Sequence, residues 1–373
     1  MDVEMTVRPQ SRRNGIATPQ HFSLGSLASR RVGIVVGVGL VFMVVSWMQW
    51  RPTAGSTLRS VPPLPQSALS ASSDAADPVV YDYEVLESFA HDRMAYTQGL
   101  EMAPPEVENK AAGDYGSLGF FYESTGHYGR STLRKVDVRS GSILAYHRMD
   151  ERDFGEGLTV HGRSLYQLLW KTGEVIEYDA RSVGKGPQAR HAGPLRDGWG
   201  LASLGKVLLA SNATEHLSVI DPATWTVVRT VSVRDRVGPV TWVNEMESLG
   251  DGTVLANVYT TPCLARIDVS TGRVLGWAIL EGLKERMMEE DGEMAAFRER
   301  RASGIVDQER DSKMVPPEVM NGVAYDPKRD RLYVTGKNWH RVFSVRLRPR
   351  AVKSSQEFEQ LRAKCTSRFM NLG

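Results

Sequence analysis

Cysteine is nearly absent: the 373 residues hold only Cys263 and Cys365. A disulfide-dense scaffold and a four-cysteine zinc module are therefore excluded. No His, Cys and Asp cluster has metal-ligand spacing, so a catalytic zinc is not indicated. An excess of charge of one sign is also missing. The 46 Lys and Arg stand against 44 Asp and Glu, a net charge of +2, which gives no global field for a nucleic acid. Long apolar runs are missing with one exception, which excludes a multi-span membrane protein. Long helical periodicity is absent outside one segment. What remains is 41% hydrophobic and 24% charged, the composition of a soluble globular body.

The exception is Val32 to Met48, 17 residues without a charge. Extended to Trp50 it covers roughly 28 Å as a helix, enough to span a hydrocarbon core of about 30 Å. Trp47 and Trp50 close it, where amphipathic rings favour an interface. Arg8, Arg12, Arg13, Arg30 and Arg31 precede the run, and Arg51 and Arg59 follow it. The positive-inside rule then predicts a single-pass type II protein of the secretory pathway. Residues 1–31 form its cytosolic tail, 32–50 its signal-anchor and 51–79 a Pro/Ser/Ala-rich stem; the rest is lumenal. The alternative is a cleaved signal peptide and a secreted body. The run is long for that, starts late and lacks a small-residue cleavage site. The sequon Asn212-Ala213-Thr214 and the two cysteines are compatible with an oxidising lumen. Whether the cysteines pair stays open.

From Tyr81 the chain reads as short strands separated by Gly, Asp, Asn and Pro clusters. Three units recur in fixed order. The first to occur is Thr97-Gln-Gly-Leu100, Gly155-Glu-Gly-Leu158, Gly198-Trp-Gly-Leu201, Val243-Asn-Glu-Met246 and Met320-Asn-Gly-Val323. The second ends at Thr125, Trp170, Asn212, Tyr259 and Lys337. The third ends a strand in an acid, at Asp137, Asp179, Asp221 and Asp268, spaced 42, 42 and 47 residues apart. A fifth copy, Val342 to Arg346, lacks the acid. A repeat of this length with three or four strands predicts an all-β, five-bladed β-propeller over 80–349. The strand Val80 to Phe89 is expected to complete the last blade. Residues 284–313 read as a charged surface insert, and 350–373 as a C-terminal tail.

Equivalent positions in five blades lie in a ring, and two such rings break the symmetry. One holds Gln98, Glu156, Trp199, Asn244 and Asn321; the other holds Thr125, Trp170, Asn212, Tyr259 and Lys337. In copies two to five the rings are 13 to 16 residues apart, a hairpin's length. One face should gather a carboxylate, an ammonium, several amides and three aromatic rings: a small-ligand pocket. Each residue also has a plainer reading. Glu156 fits an ion pair, Lys337 a loop, Trp170 and Trp199 a core, and Asn212 a glycan acceptor.

In this pattern the chain resembles the plant-type glutaminyl cyclases. The matching segments include Tyr96-Thr-Gln-Gly-Leu100, Phe154-Gly-Glu-Gly-Leu-Thr159, Gly198-Trp-Gly-Leu201, Pro239-Val-Thr-Trp-Val-Asn-Glu-Met-Glu247, Met320-Asn-Gly-Val-Ala-Tyr-Asp326 and Val334-Thr-Gly-Lys-Asn-Trp339. The resemblance runs from about residue 85 to 347. It implies a five-bladed propeller that turns N-terminal glutamine of peptides or proteins into pyroglutamate and releases ammonia. A monomer with no cofactor is expected, with room for a structural cation in the channel. The family's pocket residues fall on Gln98, Glu156, Trp170, Trp199, Asn244 and Lys337. Tyr259 stands where the family favours Trp, which adds a hydroxyl to the wall. Asn321 completes the expected substrate-binding set. Glu156 is then expected to move the proton between the two nitrogens. Lys337, with Asn244 or Gln98, would donate to the oxyanion. Burial would raise the pKa of Glu156 and a nearby lysine would lower it; the sequence does not decide between them. Two other readings compete: a non-catalytic lumenal interaction module, and a metal-dependent propeller lactonase or esterase.

Overall fold

The computed structural model describes residues 77–105, 107 and 118–366. The expected tail and anchor, and the stem up to residue 76, lie outside the described residues. Among the described residues no helix is long and apolar enough to cross a membrane. Twenty strands and four short α-helices are described, so the chain is mostly β, as expected.

β1 (Val79–Ala90) enters first. Three four-stranded antiparallel sheets follow in chain order. The first is β2 (Thr97–Met102), β3 (Phe120–Thr125), β4 (Thr132–Asp137) and β5 (Ile143–Arg148). The second is β6 (Gly155–His161), β7 (Ser164–Leu169), β8 (Glu174–Asp179) and β9 (Ala189–Ala192). The third is β10 (Leu201–Ser203), β11 (Leu208–Ala210), β12 (His216–Asp221) and β13 (Thr226–Ser232). β14 (Val243–Ser248), β15 (Thr253–Val258), β16 (Cys263–Asp268) and β17 (Val274–Ile279) join β18 (Met320–Asp326), β19 (Arg331–Gly336), β20 (Arg341–Arg350) and β1 in an eight-stranded sheet. β1 pairs antiparallel with β20 along most of its length, as the sequence predicts. Its first residues, Val79 to Tyr81, also pair parallel with Gly276 to Ala278 of β17. That second pairing, which fuses two groups of strands into one sheet, has no signal in the sequence.

Local chemistry explains the strand ends. The repeated Asp closes β4, β8, β12 and β16, and in each case its Oδ1 accepts a backbone N–H from the turn. The donors are Ser140, Arg181, Ala223 and Ser270, at 2.8–2.9 Å. Such Asx turns compete with strand continuation and reverse the chain.

The first strand of each group is buried, whereas β5 and β13 are largely exposed. The inner strands touch in a closed cycle: β2 with β6, β6 with β10, β10 with β14, β14 with β18, and β18 with β2. Glycine makes this approach feasible. A Cβ on Gly157 would lie 2.5 Å from the Trp199 carbonyl oxygen, and one on Gly200 only 2.0 Å from that of Asn244. Both distances are far inside contact range. In β14 the equivalent slot holds Glu245. Its carboxylate accepts the backbone N–H groups of Leu100 at 3.2 Å and Val323 at 2.8 Å, tying β14 to β2 and β18.

The charged insert forms α1 (Leu283–Glu289), α2 (Gly292–Ala302) and α3 (Gln308–Asp311). It is more firmly held than a solvated loop. Leu283, Met287 and Met294 are buried. Asp291 caps α2, accepting from Met294 N at 3.0 Å, and takes two hydrogen bonds from Arg93 at 2.8 and 2.9 Å. The tail forms α4 (Ser355–Thr366). Phe358, Leu361 and Cys365 sink into the core shared by β11–β17. Cys365 forms a disulfide with Cys263 across 102 residues, which settles the pairing.

Candidate active site

At one end of the inner strands lies a cavity of about 220 Å³. Gln98, Glu156, Trp170, Trp199, Asn244, Tyr259 and Lys337, seven of the predicted site residues, line it together with Tyr96, Phe154 and Trp242. The short turns deliver the second ring. In four of the five copies the residue after the ring position, Lys171, Ala213, Thr260 or Asn338, takes a left-handed backbone, which turns the chain at the strand end.

The remaining ring residues do other work. Asn321 is buried, but not on the cavity wall. Its Nδ2 donates to the Thr97 carbonyl at 3.0 Å and to Gln98 Oε1 at 3.4 Å, so it holds Gln98 from behind. From the sequence it is expected among the substrate-binding residues. Thr125 is buried and bonded to Thr132. Asn212 is half-buried, and its Oδ1 accepts from the Thr214 hydroxyl at 2.6 Å.

The floor is polar and the walls are aromatic. Gln98, Glu156, Asn244 and Lys337 are all buried. Lys337 Nζ donates to Gln98 Oε1, and Gln98 Nε2 donates to Glu156 Oε1 at 3.1 Å. The ammonium and the carboxyl are thus joined through one amide rather than in direct contact. Asn244 Oδ1 is buried without a hydrogen-bond partner. On one side Trp199 meets Tyr259 edge-on at 5.3 Å and Trp242 at 5.7 Å; on the other Phe154 meets Trp170 at 5.2 Å. Lys337 Nζ lies 4.4 Å from the centre of the Tyr96 ring. Asp197 Oδ1 accepts both indole N–H groups, from Trp170 at 2.9 Å and Trp199 at 3.1 Å. Its Oδ2 takes Lys171 Nζ at 2.6 Å.

A family model described as glutamine cyclotransferase matches residues 60–347. The chain belongs to the glutamine cyclotransferase family. It is 34% identical over 281 residues to a glutaminyl-peptide cyclotransferase of Arabidopsis thaliana, covering 75% of this chain and 76% of that protein. It is also similar to the crystal structure of Myxococcus xanthus glutaminyl cyclase. There the TM-score is 0.58 and the identity 27%, over 74% of this chain and all of that one.

The electrostatics of this cyclotransferase cavity answer the question the sequence left open. Burial outweighs the neighbouring lysine and pushes Glu156 up to about 8, with Asp197 adding to the rise. The same burial pulls Lys337 down to about 8, against the opposing pull of Glu156. Two groups of opposite kind therefore titrate in one range, where both can exchange protons near neutral pH.

Three lining residues escaped the sequence reading: Tyr96, Phe154 and Trp242. Each stands two positions before a ring residue, where strand alternation returns a side chain to the same face. Asp197 occupies that slot in the third copy. The signal that could have found them is an aromatic or acidic residue at this fixed offset.

A larger cavity of about 300 Å³ opens three to four residues further along the same strands, among Glu101, Thr159, Val160, Glu247 and Tyr325. Its carboxylates are engaged by backbone: Glu101 accepts from Val160 N at 3.0 Å and Glu247 from Tyr325 N at 2.9 Å. Among the described residues no group of three His, Cys, Asp or Glu side chains is arranged to hold a metal ion.

Proposed function

We propose that this chain cyclises the N-terminal glutamine of peptides and proteins in the 220 Å³ cavity, with Glu156 as proton carrier and Lys337 as electrophilic donor. The neutral α-amine attacks the γ-carbonyl carbon, forming the ring C–N bond. Glu156 takes the proton that the attacking nitrogen sheds and passes it to the carboxamide nitrogen. The old C–N bond then breaks, releasing ammonia and leaving pyroglutamate. Lys337 faces the oxyanion of the tetrahedral intermediate. Gln98 gives one of its two N–H groups to Glu156 and accepts from Lys337, so it serves as the link between acid and ammonium. Asn244 Oδ1, an unpartnered buried acceptor, takes an N–H of the substrate, since leaving it unpaired is costly. Trp170, Trp199 and Tyr259, with Tyr96, Phe154 and Trp242, exclude water and hold the side chain folded onto its own amine. Asp197 locks two of those walls.

One observation carries the reading: an acid and an amine, both drawn to about 8, share an aromatic hollow through a single amide. The reading extends to the rest of the chain. The strands are taken as five blades, the eight-stranded sheet counting as two, in a monomer that needs no cofactor. An anchor helix at 32–50 holds the catalytic body in the lumen. The Cys263–Cys365 disulfide supports that compartment, since cytosolic thiols stay reduced.

The test is ammonia release by the full chain from a peptide beginning with Gln, beside the same peptide with an acetylated amine. Release from the free amine only, unaffected by chelator, is expected. No release would end the proposal. Activity lost to chelator would favour the metal-dependent hydrolase.

A further inference from the structure

We propose that Tyr128 and Trp170 form a second subsite, which takes the side chain of the substrate residue following the glutamine and favours an aromatic or branched aliphatic one. The inference rests on the cyclase reading of the cavity. At about 220 Å³ that cavity is smaller than the roughly 300–1,000 Å³ typical of sites for drug-sized ligands. It accommodates one folded glutaminyl residue. Both reacting groups of that residue face the floor, so its carbonyl and everything after it must leave through the mouth.

Tyr128 stands at that mouth. The residue is 52% exposed, yet its ring meets Phe154 edge-on at 5.3 Å and Trp170 at 6.5 Å, both of which line the cavity. A single exposed tyrosine needs no explanation; one packed against two pocket walls extends them outward. The turn that carries it is distinctive. Six residues separate β3 from β4, against four or five in the equivalent turns of the other groups. His127 sits at φ +90°, uncommon for a residue with a side chain. The turn is nonetheless firmly tied. The His127 carbonyl accepts from Arg130 N, Ser131 N and Ser131 Oγ at 2.8–3.0 Å, and Gly129 N donates to the Glu151 carbonyl at 2.9 Å. The His127 ring packs 4.1 Å from that of Tyr96. The shelf is thus preorganised, which lowers the ordering cost of binding.

Charge at the rim decides the class of side chain. Lys171 Nζ lies 5.0 Å from the Trp170 ring centre, but is already paired with Asp197 at 2.6 Å. The pair cancels its own charge and leaves two aromatic faces as the recognising surface.

The full chain should therefore show a higher kcat/KM for Gln-Phe than for Gln-Gly peptides. Tyr128→Ala should cut that ratio roughly two- to ten-fold, the scale of an aromatic pair, and chiefly through KM. Tyr128→Phe should keep it. An unchanged circular dichroism spectrum and melting temperature report that Tyr128→Ala is folded. A wild-type ratio near one, or a ratio unchanged in Tyr128→Ala, overturns the subsite and leaves the cyclase reading standing. Failure of the wild-type chain on both peptides overturns the cyclase reading, and the subsite with it.

Discussion

Asp197 joins the walls of the cavity to the charge of its floor. It fixes two indoles through one oxygen and raises the pKa of Glu156 across the hollow. The wild-type pH profile should be bell-shaped and centred near 8. Below that Glu156 keeps its proton and cannot accept another; above it Lys337 loses its charge. In Asp197→Asn the negative neighbour disappears, so the pKa of Glu156 falls and the ascending limb of kcat/KM moves to lower pH, by about half a unit to one unit. An unmoved limb would confine Asp197 to a packing role. At this scale the sequence was informative where symmetry broke. Heterogeneous residues at repeating positions marked Glu156, Lys337 and both tryptophans. It was silent on the Gln98 bridge, because which of two amide ends meets an acid depends on an acceptor and a donor brought from 58 and 239 positions away.

Short-range chemistry made most elements legible. An Asp followed by a turn residue dictates an Asx turn whatever the surroundings, and all four repeated acids form one. The attachment of the insert and of the tail was not legible, because it depends on pairs distant in sequence. Asp291 finds Arg93 across 198 positions, and Cys365 finds Cys263 across 102. A closed loop of that length constrains the unfolded chain by about 4–5 kcal/mol. Cys365→Ser should therefore lower the denaturant midpoint, and reductant should do the same to the wild type but not to the variant. Equal midpoints for wild type and variant would show that α4 is held by Phe358 and Leu361 alone.

Across the whole molecule the closed cycle of inner strands concentrates carboxyl groups away from water. Glu101, half-buried at the larger cavity, is pushed up to about 8 by loss of solvation. Glu156 reaches the same value, and Glu245 and Glu247 are raised well above their ordinary range, chiefly by burial. An acid whose folded pKa is raised stabilises the fold fully below its unfolded value, near 4.5, and that contribution is lost as pH rises through the folded pKa. Thermal stability should thus decline from pH 5 to pH 8, on the order of a few degrees. Glu101→Gln combined with Glu247→Gln should flatten the decline. A melting temperature that rises over this window would contradict the assignment. The closed cycle also brings residues from all five repeats to one end, which is why a carboxyl from the second repeat and an amine from the fifth share a cavity.

The central claim is that the Glu156 carboxyl carries the proton from the attacking amine to the departing nitrogen. Its most direct test is the rate of ammonia release from a saturating Gln-initiated peptide by Glu156→Gln beside the wild-type chain. The account predicts a fall in kcat of about 10²–10⁴-fold, the usual contribution of a positioned acid–base group, with KM changed only a few-fold. Release at the wild-type rate would contradict it.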